Sequence, residues 1–189
     1  MIMKEYRSAI IKPSEDDLIV EGYAVVFEQP TVLFESDGVQ YKEVIDKQAL
    51  IGADMSDVPF KYNHSNNFFV LARTRNNTLV LTVDDYGLYI RANLANVTAG
   101  NDLYHLIKRG DIDKMSFGFT VLKGQEAYDS LTHTRRILKI DKIYDVSAVD
   151  TPAYDATNIS ARDYFTAQEE IIKLKEREEQ RKRLILLTF

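Results

Sequence analysis

The sequence predicts an α+β fold in which residues 1–160 form predominantly antiparallel strands and residues 161–189 form a charged helical extension. Short runs rich in β-branched and aromatic residues recur through the first part, and turn-forming residues bound them, which is typical of strands. One internal segment has the apolar spacing of a helix. Charged residues occupy 11 of the 15 positions from 169 to 183, which is typical of a solvated helix.

Composition limits the possible functions before any motif is considered. A chain of 189 residues accommodates one domain with an appendage, or two small domains. The absence of cysteine excludes disulfides, thiol catalysis and thiolate metal sites. The net charge of −5 argues against nucleic acid as the main partner, because phosphate neutralisation requires a basic surface. No apolar run approaches the length of a membrane span, so no membrane association is predicted.

The first half of the chain predicts strands separated by turns. Leu18–Phe27 is rich in β-branched and aromatic residues, and Gly22 within it predicts a bulge or bend. Residues 28–42 contain turn formers and are interpreted as a loop or loose hairpin. Asp46–Leu50 is predicted to open a short helix with its aspartate as N-cap. Residues 78–94 are predicted to form a hairpin in which Gly87 adopts a positive φ.

The second half of the chain predicts one helix and two strand regions. The helix is expected to begin at Asn101, as N-cap, and to end at Gly110. Met115–Leu122 and Thr134–Val149 are the strand regions, and Pro152 is expected to end the second one. Near its end, apolar and polar residues alternate, which predicts one apolar face and one polar face. The polar face carries Asp145 and Ser147.

The charged extension contains few residues that could anchor it. Ile171, Ile172 and Leu174 are the only apolar residues between positions 169 and 183, and they are expected to pack against the domain. The apolar segment Leu184–Phe189 is expected to dock on another surface.

Without cysteine, a nucleophile would have to be Ser, Thr, Lys or a carboxylate. Ser116 stands out because it lies between bulky apolar residues in Lys114–Phe119, with Gly118 two positions on. A small residue there would permit close approach of a substrate to the backbone. Alternatively, Ser116 is a polar residue on the open face of a strand.

A serine nucleophile needs a base, most often histidine, and the chain has three histidines. His64 follows Phe60–Tyr62, His105 lies on the predicted helix and is expected to face outward, and His133 lies in a polar loop. Each is equally compatible with a structural role. No metal-ligand spacing, Walker loop or dinucleotide fingerprint is present, so no cofactor or metal is predicted.

Several segments resemble the tailed-bacteriophage prohead proteases, serine proteases of capsid maturation that are related in fold to the herpesvirus assemblins. The matching segments are Glu21–Phe27, Phe60–His64, Val70–Thr74, Gly110–Phe119 and Tyr144–Tyr154. Each is weak alone, but their order and spacing over about 130 residues make the combination specific. The resemblance implies a protease domain over residues 1–160, with a β-barrel core surrounded by helices.

The resemblance also implies site residues. Ser116 would be the nucleophile and His64 the general base, and a third group would orient the imidazole. The phage family commonly has an acidic residue at that third place, which Asp145 occupies here. Its position on the polar face of the strand supports the choice. The alternatives are His133, by analogy with the assemblins, Asp141 or Asp150, or no functional third member.

The oxyanion hole is not assigned by the resemblance. Assemblins use a backbone amide after the third catalytic strand, near an arginine pair, and residues 151–157 contain no arginine. The pair Arg135-Arg136 precedes that strand and is predicted to lie on the surface.

The resemblance implies partners and location as well. The substrates would be the major capsid protein precursor, its scaffold segment and possibly the protease itself, inside the procapsid in the bacterial host cytoplasm. The extension from Ala161 would help to package the enzyme, and a homodimer is possible by analogy. A catalytically silent relative that acts as a scaffold or assembly factor is the alternative, and an unrelated β-barrel binding protein is a third interpretation.

Overall fold

The computed structural model describes residues 4–14, 18–150 and 154–186, with side chains of the last segment described from 161 to 183. Thirteen strands and two α-helices are present in these residues. In chain order they are β1 (Glu5–Ile10), β2 (Lys12–Pro13), β3 (Ile19–Val26), β4 (Thr31–Ser36), β5 (Val39–Ile45), β6 (Pro59–Tyr62), β7 (Ala72–Arg73), β8 (Leu79–Val83), β9 (Gly87–Asn93), α1 (Thr98–Arg109), β10 (Lys114–Thr120), β11 (Glu126–Asp129), β12 (Thr134–Ile137), β13 (Lys142–Val149) and α2 (Tyr154–Leu186).

The strands form three open sheets. The central sheet has the order β1-β10-β13-β6-β7, the second has β11-β12-β5-β4, and the third has β2-β3-β9-β8. Pairing is antiparallel except between β12 and β5 and between β13 and β6. The α+β, mainly antiparallel fold is thus confirmed. The expectation of a closed barrel is wrong for the described residues, because the central sheet ends at the two-residue strand β7 and no pairing joins its edges.

The first half confirms one predicted turn and corrects another. Residues 31–45 form a hairpin, one of the two interpretations of this region, with a shift in register between Val32 and Phe34. Asp37 and Gly38 at its turn have φ values of 51° and 77°, as a type I′ turn requires. Asp46 does not begin a helix. Its side-chain Oδ1 instead accepts a hydrogen bond from the Gln48 N–H at 2.9 Å, which stabilises a turn.

The predicted hairpin at residues 78–94 is confirmed as β8 and β9, but its glycine has a different role. Gly87 does not have a positive φ. A Cβ at this position would collide with the carbonyl oxygen of Val25, so the glycine permits close approach of β3. The predicted helix is α1, which begins at Thr98, three residues before Asn101, and ends at Gly110 with a φ of 85°.

The central sheet separates an apolar face from a polar one. Met115, Phe117 and Phe119 of β10 lie on the apolar face and are fully buried with Val146 and Ala148 of β13. Each large side chain buried in this way contributes about 1.5–3 kcal/mol to stability. The intervening positions therefore point toward the other face, and their orientation is fixed by this core.

A buried ion-pair network joins the central sheet to the second sheet. Arg7 of β1 binds Glu43 of β5 through two hydrogen bonds of 2.5 and 2.6 Å. Arg135 of β12 binds Glu43 at 3.1 Å and also contacts Glu5 and Glu126. Only 4 % of Arg135 is exposed, so its predicted surface location is wrong. The sequence did not indicate this because the partners lie far away in the chain.

Substitution of Glu43 by glutamine is expected to destabilise the fold by about 3 kcal/mol, because Arg7 and Arg135 would keep buried charges without their shared anion. Urea unfolding of Glu43→Gln against Glu35→Gln, an exposed residue of neighbouring β4, measures this. Equal stability of the two variants would contradict it.

Acid should weaken the same network. Burial alone would raise the pKa of Glu5, but the hydrogen bonds and charge of Arg135 lower this pKa below its ordinary value. The stabilisation is therefore complete above the pKa of the unfolded carboxyl, and it is lost as pH falls through the lower pKa of the folded state.

Helix α2 packs on the second sheet through a small aromatic cluster. Ala161 and Phe165 are buried against Leu33, and Tyr41 donates a hydrogen bond to Glu169 Oε1 at 3.0 Å. Ile171 and Leu174 are exposed, so their expected packing is wrong. The proposed boundary at residues 160 and 161 falls inside α2 and stays a prediction. Neither described helix is long and apolar enough to cross a bilayer. Pro152 and residues 187–189 lie outside the described residues.

Candidate active site

The candidate site lies on the polar face of the central sheet, where β10 and β13 pair antiparallel. Ser116 is directly opposite Ser147, and Asp145 is opposite Gly118. Because residues two apart on a strand share a face, these four positions point to the same side. Ser116, Asp145 and Ser147 are all fully buried. The face that the sequence predicted as polar is therefore an enclosed polar site.

A tight turn after β6 brings His64 to this face. Strand β6 runs parallel to β13, and the Asn63 N–H bonds to the carbonyl of Ala148 at 2.9 Å. Asn63 and His64 have φ values of 51° and 52°, and the Ser65 N–H closes the turn onto Tyr62 at 3.0 Å. Two successive non-glycine residues in the left-handed region store strain, which is common at functional sites.

The His64 imidazole contacts Asp145 directly. Its Nδ1 is hydrogen-bonded to Asp145 Oδ1, and the Lys4 ammonium binds the other oxygen, Oδ2. Burial would raise the pKa of Asp145, but His64 and Lys4 lower it to about 2. Asp145 is therefore an anion at neutral pH. An anion at Nδ1 favours the tautomer with the proton on that nitrogen, which leaves Nε2 as the proton acceptor.

Ser147 links the histidine turn to the aspartate. Its hydroxyl donates to Asp145 Oδ1 at 3.2 Å and accepts from the backbone N–H of His64 at 3.3 Å. The sequence predicted Ser147 on the polar face but indicated no role for it. Its only signal was its position two residues from Asp145, on the same face of the strand.

Two buried polar atoms of the site lack hydrogen bonds. Neither Ser116 Oγ nor His64 Nε2 has a partner among the described residues. Buried polar atoms of this kind are rare and call for a functional explanation. A hydroxyl donor and an imidazole acceptor beside the same residue, Ser147, are the pair that a serine nucleophile and its base require. The Tyr6 ring packs on His64 with centroids 4.2 Å apart and limits its rotation.

The alternative residues lie elsewhere. His133 contacts Tyr128 and Tyr41 in the cluster beneath α2, and Asp141 is exposed. Asp150 accepts a hydrogen bond from Tyr62 at 2.8 Å. His105 is exposed on α1, as expected. Among the alternatives for the third member, therefore, only Asp145 is seen to bind His64 within the described part of the chain.

A cleft of about 490 Å³ lies between β1 and β3, but none of the three candidate residues lines it. Its walls come from β1, β3, β5 and β10 and include Arg7, Tyr23 and Phe117. Within the described segments, no cluster of three or more His, Asp or Glu side chains could hold a metal ion.

Removal of the Ser147 hydroxyl should lower activity about 5-fold, since a hydrogen bond of this kind contributes about 1 kcal/mol. We expect Ser147→Ala to reduce kcat with little change in KM, because the hydroxyl touches His64 and Asp145 rather than a substrate subsite. Ser8→Ala is the matched control, because Ser8 is opposite Ser116 on β1 and lies two strands from Ser147. An equal effect in both variants would contradict a specific role of Ser147.

The enclosed serine and the histidine held by an aspartate are typical of a serine peptidase. The profile of the Caudovirus prohead serine protease family matches residues 5–171 of the chain. This match covers most of the chain, and the protein belongs to that family. It is accordingly a serine peptidase of phage capsid maturation. No curated protein and no solved structure matched the chain.

Proposed function

We propose that the protein is a serine endopeptidase that cleaves the major capsid protein precursor or its scaffold segment, with Ser116, His64 and Asp145 as its catalytic triad. The observation that carries the triad is the His64 imidazole, which is bound to Asp145 through Nδ1 while Nε2 lacks a partner among the described residues. Ser116 Oγ, unpartnered in the same way, lies on the same face of the sheet.

In this proposal each residue has a distinct chemical role. Ser116 Oγ attacks the scissile carbonyl carbon while His64 Nε2 takes its proton, and a tetrahedral oxyanion forms. His64 then gives the proton to the leaving amine, the C–N bond breaks, and an acyl-enzyme remains. A water molecule repeats the sequence and releases the acid product. Asp145 stabilises the imidazolium that forms in each half-reaction.

Ser116 Oγ and His64 Nε2 are not hydrogen-bonded to each other in the structure, and the proposed mechanism requires this hydrogen bond to form. Catalytic contacts in enzymes without substrate are often loose and shorten in the substrate complex. Because Ser116 is buried, a substrate segment must displace the groups that cover it or insert between them. We therefore propose an extended, locally unfolded precursor segment as substrate, because a folded surface would not reach a buried hydroxyl.

Family membership supports the place of action. A prohead protease is expected inside the procapsid within the host cell. Self-cleavage, packaging through the extension from Ala161, and a homodimer are further parts of the proposal. Sedimentation of an active preparation tests the dimer, and a species that is entirely monomeric would contradict it.

The function is tested by incubating the protein with the capsid precursor, with and without prior treatment by a fluorophosphonate. We expect shortening of the precursor at one site, measured by intact mass. Fluorophosphonate should abolish it, because the Ser116 Oγ–phosphorus bond forms as fluoride leaves and the nucleophile is lost. Peptide mapping should place the adduct on Ser116.

Two outcomes would contradict the proposal. Full shortening by a protein labelled at Ser116 would place the nucleophile elsewhere. Correctly assembled shells without shortening, from protein shown to be folded and present in the particles, would favour the scaffold function.

A further inference from the structure

The N-terminal end of β1 contributes a cation to the candidate active site. Lys4, immediately before β1, binds Asp145 Oδ2, the oxygen that His64 does not use. Asp145 is 1 % exposed and Lys4 is 32 % exposed, so this contact lies at the edge of the enclosed site. The two residues are 141 positions apart, and no sequence motif connects them.

Gly118 provides the path for this contact. Strand β10 lies between β1 and β13, so the Lys4 side chain has to cross it to reach Asp145. It crosses at Gly118, which is opposite Tyr6 on one side and Asp145 on the other. A Cβ on Gly118 would lie 2.6 Å from Lys4 Cε and 2.8 Å from Tyr6 Cε1. Gly118 was expected to leave room for a substrate to approach the backbone. Lys4 and Tyr6 fill this space instead.

The surroundings hold Lys4 in this position. Its ammonium lies over the rings of Tyr6 and Tyr144, at 5.1 and 5.0 Å from the centroids. The negative faces of aromatic rings attract a cation placed over them. The same Tyr6 ring packs on His64. One end of β1 thus contacts both the aspartate and the histidine of the proposed triad.

We propose that Lys4 is a positioning residue of the peptidase, which fixes the second oxygen of Asp145 and partly neutralises its charge so that His64 acts as a base at lower pH. This inference rests on the proposed function and adds to it a residue from outside the triad. Among the described residues, the charged or titratable groups seen in contact with the Asp145–His64 pair are Lys4 and Tyr6 from the β1 end, and Tyr144 of β13 in turn contacts Lys4.

The direction of the effect follows from charge. Asp145 alone would strongly favour a protonated imidazole, which cannot accept the Ser116 proton. The ammonium of Lys4 offsets part of that negative charge. Without Lys4, protonated His64 would persist to higher pH, and the acidic limb of the activity profile should move upward.

The test measures the pH dependence of Ser116 labelling by a fluorophosphonate, which requires the nucleophile and base but no peptide substrate. We expect the acidic limb of Lys4→Met to move up by about one pH unit, the low end of the effect of a close charge. Lys4→Arg should retain the wild-type profile because it keeps the cation. Lys47→Met is the matched control, since it removes a lysine that pairs with the exposed Asp85.

A second variant tests the path across β10. Gly118→Ala should displace Lys4 and shift the profile in the same direction. The double variant Gly118→Ala with Lys4→Met should shift by less than the sum of the two single shifts, because both changes act on the contact of Lys4 with Asp145.

The outcomes separate this inference from the function on which it rests. Normal labelling of Lys4→Met with an unshifted acidic limb would overturn the role of Lys4 and leave the triad intact. Failure of the folded wild-type protein to label at Ser116 would overturn both. An equal shift in Lys47→Met would assign the effect to net charge and would also overturn the role of Lys4.

Discussion

Replacement of Ser116 by alanine should lower turnover about 10⁶-fold, the loss seen when the nucleophile of a comparable triad is removed. The reason is that the two nearest serines cannot take over in the same geometry. Ser147 is committed to His64 and Asp145, and Ser8 is on the far side of β10. Steady-state cleavage of a peptide spanning the precursor site measures this effect.

Stability should change little in the same variant. Ser116 Oγ makes no hydrogen bond with the described residues, so its removal leaves no new unpaired partner. The thermal midpoint of Ser116→Ala should therefore stay within a few degrees of wild type or rise slightly. Ser8→Ala, its neighbour in register, should keep activity. Loss of activity together with unfolding would show a structural serine instead.

This separation of activity from stability is the expected mark of a functional site. A buried hydroxyl without a hydrogen-bond partner costs free energy. At a purely structural position, an alanine or a hydrogen-bonded serine would be more stable. The left-handed backbone at Asn63 and His64 adds a second local cost. Both costs fall on the segments that carry the proposed nucleophile and base, whereas the apolar face behind them is well packed.

Local patterns were sufficient to predict several strands and the helix α1. The β-branched content of β3 and the β8–β9 hairpin were readable from neighbouring residues, and Gly110 ended α1 as expected. Alternation along β13 placed Asp145 on the polar face. These features depend on side chains close in sequence, which is where period and turn chemistry carry information.

Contacts between distant segments were not predictable in the same way. Arg135 was expected at the surface because the pair Arg135-Arg136 precedes the strand that carries Asp145, but Arg135 is buried in ion pairs with Glu5 and Glu43. Lys4 gave no signal for a similar reason, since its partner is 141 residues away. The family resemblance implied a closed barrel, but no strand pairing joins the edges of the central sheet in the described residues. Pairing between sheet edges is also a long-range property.

The third member of the proposed triad was left open by the sequence for a physical reason. An acidic residue at the place of Asp145 was one of several choices, and only the turn at Asn63 and His64 decides which carboxylate the imidazole meets. That turn is anchored to β13 by the backbone bond from Asn63 to Ala148. This backbone bond places the imidazole beside Asp145 and Ser147, whereas Asp150 accepts a hydrogen bond from Tyr62.

Asp145→Asn should therefore lower kcat by about 10³–10⁴-fold, while Asp150→Asn and His133→Ala should remain close to wild type. An amide facing Nδ1 can donate to it, which favours the tautomer that carries the proton on Nε2 and cannot accept one from Ser116. The imidazolium formed during the reaction would also lose its anion. Peptide cleavage by the three purified variants, at a pH on the activity plateau, measures the difference.

The pH dependence of activity is a second test of the role of Asp145. Since the pKa of Asp145 is held at about 2, this carboxylate stays ionised across the working range and should add no limb to the wild-type profile above pH 4. The acidic limb then belongs to the general base. In Asp145→Asn, protonated His64 loses its stabilising anion, so the remaining activity should have its acidic limb at lower pH. An unchanged limb, or a loss no greater than that of Asp150→Asn, would show that Asp145 is not the third member.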